Sequence, residues 1–325
     1  MTAGPAPQRA AEPARTIFFG SGAFAVPILD ALAQLSAARI VAVVTAPDRP
    51  AGRSRALMAT PVAERATALG LPVLRPARVR APEAVAEIAA VRPDLGVLAD
   101  YGQIVPAALL DLPSHGILNV HPSLLPRHRG ATPIPAAIAE GDAETGVTIF
   151  RMDEGVDTGP LVTSRAWPLT GSERAPELEA EAARQAARLL SETIAGWLAG
   201  TITARPQPEG GTSRTRPFRR EDGRLDPLRP APELERRVRA YLPWPGSFVD
   251  SAGGRISVLA ASVVAARVGD EPGRLVDEEG RLALTTADGR LVFEEAQREG
   301  RRAVGGAEFL RGQRQLVDTG ILSGK

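Results

Sequence analysis

Between Thr16 and about Trp197, short apolar runs alternate with stretches whose apolar residues recur at helical spacing. The runs Thr16–Gly20, Ile40–Thr45, Pro72–Leu74, Leu95–Ala99 and Gly116–His121 predict strands. Phe24–Leu35, Pro61–Leu69, Pro82–Val91 and Pro106–Leu110 predict the helices between them. Because these strands are apolar throughout, both of their faces must be covered, which is the condition of a parallel sheet with helices on each side. After His121 the rhythm changes to a long loop, a short helix near Ile134–Ala139, strands around Val147–Met152 and Leu161–Leu169, and a long helix from about Glu173 to Leu198.

The segment Thr201–Arg216 is rich in Pro, Gly, Thr and Arg, has no apolar period, and reads as an interdomain linker. Beyond it, Pro232–Tyr241 predicts an Arg-rich helix. The runs Arg255–Val264, Gly273–Asp277, Arg281–Thr286 and Arg290–Glu295 are short strands separated by turn residues. Closely spaced strands of this kind suggest a small barrel. The expected organisation is a disordered Ala/Pro-rich tail (1–15), an α/β domain (16–200), a linker (201–211) and a C-terminal barrel domain (212–320). No apolar run reaches the ~18 residues of a membrane span, and the tail lacks a signal-peptide core, so no membrane partner and a cytoplasmic location are expected.

Composition narrows the chemistry. Among the 325 residues there is no cysteine, the sole lysine is Lys325, and the histidines are His115, His121 and His128. A disulfide framework, a thiolate metal site and a cysteine nucleophile are excluded, and a Schiff-base or P-loop lysine has only the last residue as its carrier. Proton chemistry falls to His, Asp, Glu or Tyr, and no metal site is expected. The formal net charge of +1 says little, because a balanced total can hide a basic face.

Two groups of residues offer a site. Gly20-Ser21-Gly22-Ala23-Phe24-Ala25 fits G-x-G-x-x-A between a predicted strand and helix, with Asp48 as a possible ribose ligand, and opens a nicotinamide or flavin reading. That pattern is weak, since any tight turn recruits glycine. The second group is more demanding. Asn119 and His121 are two residues apart in a predicted strand, so they share a face at its C-terminal end, where open α/β sheets bind substrates. A polar pair ending a buried apolar strand is costly unless partnered. Asp157, in the glycine-bracketed stretch Met152–Gly159, is a carboxylate suited to orienting His121; its ordinary reading is an Asx-turn residue. Such a trio can transfer an acyl group from a carrier nitrogen to an amine. Asn119 would donate to the oxyanion, His121 would stabilise charge or protonate the leaving nitrogen, and Asp157 would raise the histidine's pKa and move the amine's proton.

Asn119-Val-His121, Ser123-Leu-Leu-Pro-Arg-His-Arg-Gly130 and Asp153-Glu-Gly-Val-Asp-Thr-Gly159 resemble the signatures of the folate-dependent formyltransferases. The resemblance runs over nearly the whole chain, through Phe19-Gly20-Ser21, Pro47–Arg53, Tyr101-Gly102, Gly141–Thr148 and Leu242-Pro-Trp-Pro245. It implies a doubly wound Rossmann-like formyltransferase domain followed by an OB-fold-like β-barrel. It also implies 10-formyltetrahydrofolate as formyl donor, and initiator methionyl-tRNA as acceptor for translation initiation. By the same resemblance Asn119, His121 and Asp157 are catalytic. Ser123, Leu124, Leu125 and Pro126, backbone at Ala99, Asp100 and Tyr101, and the loop from Val147 to Asp153 would hold the folate. The glycine turn of that family binds no dinucleotide.

Arg49, Arg53 and Arg55 stand in a Pro/Gly-rich loop that smaller formyltransferases lack, and are expected to probe the tRNA acceptor stem. Arg214–Arg239 carries nine arginines against five acids, and Arg219 and Arg220 are expected on the tRNA backbone. The chain departs from the family in Pro122 where Gly is usual, in His128 where Trp is common, and in lacking lysines over Thr215–Arg220. A monomer is expected. An amino-sugar nucleotide or other small amine is the alternative acceptor, and the arginine loop and second domain speak against it.

Overall fold

The computed structural model describes residues 12–51 and 56–322. Strand β1 (Ala14–Gly20) leads into α1 (Ala25–Gln34) and β2 (Ala38–Val44). A small hairpin, β3 (Arg49–Ala51) and β4 (Ala56–Met58), precedes α2 (Pro61–Ala68), β5 (Val73–Leu74), α3 (Pro82–Ala90) and β6 (Leu95–Ala99). Then come α4 (Ala107–Leu110), β7 (Ile117–His121), a short β8 (Arg129–Gly130), α5 (Pro133–Glu140), β9 (Glu144–Arg151), β10 (Leu161–Pro168) and α6 (Ala175–Leu198). The main sheet has the order β10-β9-β7-β6-β1-β2-β5. Its central pairs are parallel, and Ile17, Phe19, Val44, Leu98 and Ile117 are buried beneath Ile88 and Leu109 of α3 and α4.

The parallel sheet expected from Thr16 onward ends at β7. Strand β9 runs antiparallel to it, pairing His121 with Thr148 and Asn119 with Phe150. Nothing in an apolar run encodes strand direction; a strand returning from an excursion is free to reverse. Helix starts follow local rules. Thr60 caps α2 by accepting from the Ala63 amide at 3.0 Å, with Pro61 at the first helical position, and α5 begins on Pro133 and stops at the left-handed Gly141.

The segment read as a linker is more structured than its composition suggests. Arg205 exchanges both backbone hydrogen bonds with Leu161, and β11 (Arg214–Thr215) pairs in parallel with β8. The segment read as an arginine loop is in part the β3–β4 hairpin, in which Arg49 faces Met58. Both roots of that hairpin meet a hydroxyl cluster: Thr45 Oγ1 lies 2.7 Å from Thr60 Oγ1 and donates to Ser21 Oγ at 3.3 Å.

By its contacts the chain divides into two compact units. The first comprises residues up to Pro126, Gly146–Arg165 and Glu181–Gly211, and the second Arg127–Thr145, Ala166–Ala180 and Thr212 onward. In the second unit, helix α7 (Ala231–Ala240) lies against an antiparallel sheet of β12 (Ser247–Ser251), β13 (Gly254–Val264), β14 (Arg274–Glu278), β15 (Arg281–Thr285) and β16 (Arg290–Arg298). β17 (Ala303–Gly305) adds to β16, and α8 (Gly306–Gly312) and β18 (Thr319–Gly320) complete the unit. Its two sheet edges meet, because Ser251 bridges Ile321 and Leu322 donates to the Asp250 carbonyl at 2.7 Å, so the sheet closes into a barrel. Leu234 and Val238 of α7 pack with Ile256, Leu282, Leu291 and Phe293 as the core.

The turn Arg220–Gly223 is held by Asp222, which accepts two hydrogen bonds from Arg216, at 2.6 and 2.8 Å, and one from the Arg219 amide at 2.6 Å. The Arg216 guanidinium, first among these influences, holds the Asp222 carboxyl down to about 2, against an ordinary value of 3.8. A depressed folded-state pKa stabilises above the unfolded value and ceases to do so as pH falls through the folded one. Asp222→Asn is therefore expected to be less stable than wild type at pH 7 and to lose less stability between about pH 4 and pH 2, as followed by thermal melts. Parallel melting curves for the two proteins across that interval would contradict it.

Candidate active site

Strand β7 is buried along its whole length and ends on the polar pair, with Asn119 and His121 on one face. Facing the imidazole is the loop from Met152 to Pro160. Asp157 Oδ2 lies 3.7 Å from His121 Nδ1, and both side chains are largely shielded. That distance is within ion-pair reach and beyond a normal hydrogen bond, and apo sites commonly tighten when substrate arrives. The structure thus brings the three residues singled out in the sequence to one place within the first unit.

Asp157 adopts a left-handed backbone, φ +54°. For a residue with a side chain this conformation costs roughly 1 kcal/mol or more and persists only where surroundings impose it. Several do. Asp153 Oδ1 accepts from the Gly155 amide at 3.1 Å and from Thr158 Oγ1 at 2.7 Å. The Arg151 amide donates to the Pro160 carbonyl at 3.0 Å and closes the loop. Gly159 passes so near the chain that an added Cβ would sit 1.9 Å from the Arg151 carbonyl oxygen. Gln207 Nε2 donates to the carbonyls of Asp157 and Gly159 at 2.9 and 2.8 Å.

The stretch Ser123–Pro126 is fastened to β9. Thr148 Oγ1 donates to the Ser123 carbonyl at 2.7 Å and accepts from the Leu125 amide at 3.2 Å, both in the interior. Gly146 admits Leu124, whose Cδ2 would stand 2.3 Å from an added Cβ. Val147 is fully buried beside it, while Asp153 commits one carboxylate oxygen to its own loop. Thr148 is legible in the sequence as a hydroxyl in an apolar strand, a group that must find a partner. Gln207 carries no such signal, lying in a polar stretch far from Asp157 in sequence.

Ala99 ends β6, and Asp100 and Tyr101 follow it, next to β1 at the point where the strand order reverses. The Tyr101 ring packs edgewise on Phe19 at 5.7 Å, and its hydroxyl is buried without a hydrogen-bond partner among the described residues. Burial pushes that phenol up to about 12. Asp100 is left-handed (φ +48°) and lays its carboxyl over Gly22, where an added Cβ would fall 1.7 Å from Oδ2. Desolvation raises the Asp100 pKa, though the residue as a whole keeps substantial exposure to water.

This contact decides the glycine turn. The backbone approach that a pyrophosphate would need at Gly22 is taken by a carboxyl, and the Ser21 amide is committed to the Asp100 carbonyl at 2.9 Å. Asp48, the possible ribose ligand, pairs instead with Arg75 at 3.5 Å. The turn is structural.

Arg49 is exposed and has no ion-pair partner among the described residues; Arg53 and Arg55 lie outside them. In the second unit, Arg216, Arg224, Arg229, Arg237 and Arg239 are bound to carboxylates, whereas Arg214, Arg219 and Arg220 form no ion pair among the described residues, the charge of Arg219 acting only from further off on Asp222. His128 is buried with Nε2 2.7 Å from Asp142 Oδ2, and its backbone amide donates to Ser213 Oγ at 2.9 Å. Burial alone would raise the Asp142 pKa, but hydrogen bonds from Arg127 and His128 hold it below the usual range. His128, Glu140 and Asp142 could together meet a metal ion, yet the Arg127 guanidinium already bridges Glu140 and Asp142. His115 uses its carbonyl, which accepts from Trp197 Nε1 at 3.0 Å.

An α/β domain that brings an amide, an imidazole and a carboxylate to the end of one strand holds groups able to donate to an oxygen and to give and take a proton. Comparison with known proteins specifies the reaction. The formyl transferase family model matches residues 14–194, and the model of its C-terminal domain matches 217–314. The chain belongs to the formyl transferase family and is a formyl-transferring enzyme. It is 44% identical over 303 residues to the methionyl-tRNA formyltransferase of Roseiflexus sp. (strain RS-1), covering 93% of each chain. It is 42% identical over 305 residues to that of Thermus thermophilus, covering 92% of this chain and 96% of the other. Among solved structures, the N-formyltransferase of Helicobacter canadensis in complex with folinic acid and dTDP-3-aminofucose shares the fold at a TM-score of 0.65 and 16% identity, covering 86% of this chain and 98% of that one. HypX from Aquifex aeolicus in complex with tetrahydrofolic acid does so at 0.58 and 18%, this chain covering 47% of its length and 91% of its own.

Thr148→Val keeps the shape of β9 but leaves the Ser123 carbonyl and Leu125 amide without their partner. Urea unfolding is expected to show a loss of about 1–3 kcal/mol; an unchanged midpoint would mean that the two bonds contribute nothing.

Proposed function

We propose that this enzyme transfers the formyl group of 10-formyltetrahydrofolate to the amino group of methionyl initiator tRNA, giving N-formylmethionyl-tRNA for translation initiation. The observation that carries the reading is the convergence of Asn119, His121 and Asp157 at the end of β7, in a chain whose relatives are named for that reaction. When bound, the folate supplies a formyl carbonyl on a nitrogen that can leave.

The residues at hand fit such a donor. The Tyr101 hydroxyl is a buried group in want of a partner at the strand-order reversal, and the anchored Ser123–Pro126 stretch with Val147 offers apolar and backbone surface beside β7. The folate would lie against Ala99–Tyr101 and Ser123–Pro126.

Asn119 donates an N–H to the formyl oxygen as it gains charge; one such donor is typically worth a factor of ~10² to 10³ in rate. Asp157 accepts a proton from the attacking amine. His121 delivers a proton to the leaving nitrogen and, while charged, adds stabilisation to the oxygen. The amine loses one proton and the leaving nitrogen gains one, so a transfer from Asp157 to His121 restores the starting state. Neither cysteine nor an internal lysine exists to carry the formyl group, which favours direct passage from folate to amine.

On this reading residues 16–200 hold the chemistry, 201–211 join the domains and 212–320 bind tRNA. Arg49, Arg53 and Arg55 contact the acceptor stem, and Arg219 and Arg220, whose guanidinium groups form no ion pair among the described residues, meet backbone phosphates. On the same reading the acting form is a monomer that works in the cytoplasm, where initiator tRNA is charged.

Purified enzyme given 10-formyltetrahydrofolate is expected to formylate methionyl initiator tRNA and not an amino-sugar nucleotide; the reverse preference would overturn the acceptor. Asp157→Asn is expected to fold normally and to lose turnover by orders of magnitude, and near-wild-type kcat would remove Asp157 from the chemistry. Replacing Arg49 and Arg53 by Ala is expected to raise KM for tRNA and to flatten its dependence on log salt. An unchanged salt slope would return the hairpin to plain surface.

A further inference from the structure

We infer that Gln207, in the segment that leads out of the catalytic unit, is a positioning residue for the reaction: its carboxamide holds the Asp157 loop in the one backbone conformation that presents the carboxylate to His121. The inference rests on the reading of Asp157 as the proton acceptor.

Both hydrogens of one amide nitrogen are engaged by this loop. Gln207 Nε2 donates to the Asp157 carbonyl at 2.9 Å and to the Gly159 carbonyl at 2.8 Å, so it spans the residue with the left-handed backbone. These carbonyls flank Thr158, whose hydroxyl is bound by Asp153 on the loop's inner side. The loop is thus gripped from within by a carboxylate and from without by a carboxamide. An amide is the suitable group here, since it offers two donors from one atom and no charge beside Asp157.

The segment carrying Gln207 is itself fixed. Two residues earlier, Arg205 exchanges backbone hydrogen bonds of 2.7 and 2.8 Å with Leu161, just beyond the end of the loop it serves. Pro206 and Pro208 flank Gln207 and restrict the backbone on either side. The side chain is therefore delivered from an anchored, stiffened segment, which is how supporting groups keep a catalytic residue within a fraction of an ångström of its working place. A stretch with the composition of a linker thereby becomes part of the active-site scaffold.

The test uses the full-length enzyme with 10-formyltetrahydrofolate and methionyl initiator tRNA, comparing wild type, Gln207→Leu, Asp157→Asn and the double variant in single-turnover and steady-state assays. Leucine fills similar volume without donors. Gln207→Leu is expected to lower the transfer rate about 10- to 100-fold, to leave KM for both substrates within about twofold, and to displace the pH profile of kcat, because the carboxylate's placement against His121 changes. In the Asp157→Asn background the same change is expected to cost little further, since the two residues act through one group.

A wild-type rate for Gln207→Leu, or an equal fold-loss in both backgrounds, would overturn the inference, as would a loss confined to KM. Should the leucine variant fail to fold, Gln207→Met answers the same question with a longer apolar chain. Near-wild-type turnover by Asp157→Asn would instead sink the catalytic reading of Asp157; an inactive Asp157→Asn beside an unaffected Gln207→Leu would sink the role of Gln207 alone.

Discussion

The site turns on a backbone conformation that the chain would not hold unaided. Asp157 sits at φ +54°, and its carboxylate faces His121 from the loop that follows β9. Four separate contacts impose that shape: the Asp153 carboxylate, the Arg151–Pro160 closure, the close passage of Gly159, and the Gln207 carboxamide. Local strain at a functional position is tolerated when the surroundings over-determine it, and here they come from two places in the sequence, the stretch Arg151–Pro160 itself and Gln207. The opposite wall needs no such device. Asn119 and His121 stand on a strand buried along its length, where the period of the strand alone aims both side chains the same way.

A second constraint operates at the strand-order reversal. The carboxyl of Asp100 lies where a bound pyrophosphate would approach Gly22, so a turn with the spacing of a dinucleotide fingerprint meets that anion with a like charge. The same strand end leaves the Tyr101 hydroxyl buried and unpartnered among the described residues, with its ring packed on Phe19 of β1. Fold-level likeness to nucleotide-binding domains and the chemistry of this site part company at a single side chain.

Much of the main sheet is legible in the amino-acid sequence alone. Continuous apolar runs locate its strands to within a few residues, because burial on both faces leaves little choice of residue type. The pair Asn119 and His121 stands out for the converse reason, as polar groups where apolar ones belong. Strand direction is not legible: β9 reverses against β7 although its sequence reads like its neighbours. Gln207 is hidden because its partners are backbone carbonyls about fifty positions away, and a carbonyl has no sequence signature. In the basic stretch from Arg214 to Arg239, the pairs Arg237–Glu233 and Arg239–Glu235 follow helical i,i+4 spacing and can be read directly. The Arg216–Asp222 fork, formed around a tight turn, cannot, and only after such pairs are set aside do Arg214, Arg219 and Arg220 emerge as cations without an ion pair among the described residues.

A chain without cysteine, and with its only lysine at the last position, should pass its formyl group in one step. Rapid mixing of enzyme with 10-formyltetrahydrofolate carrying an isotopic label in the formyl group, then with methionyl initiator tRNA, followed by acid quench on the millisecond scale, tests this directly. The label should leave the folate and appear in N-formylmethionyl-tRNA at equal rates, with none on protein. Labelled protein formed before the tRNA product, or label released as formate while the tRNA stays unmodified, would contradict the account.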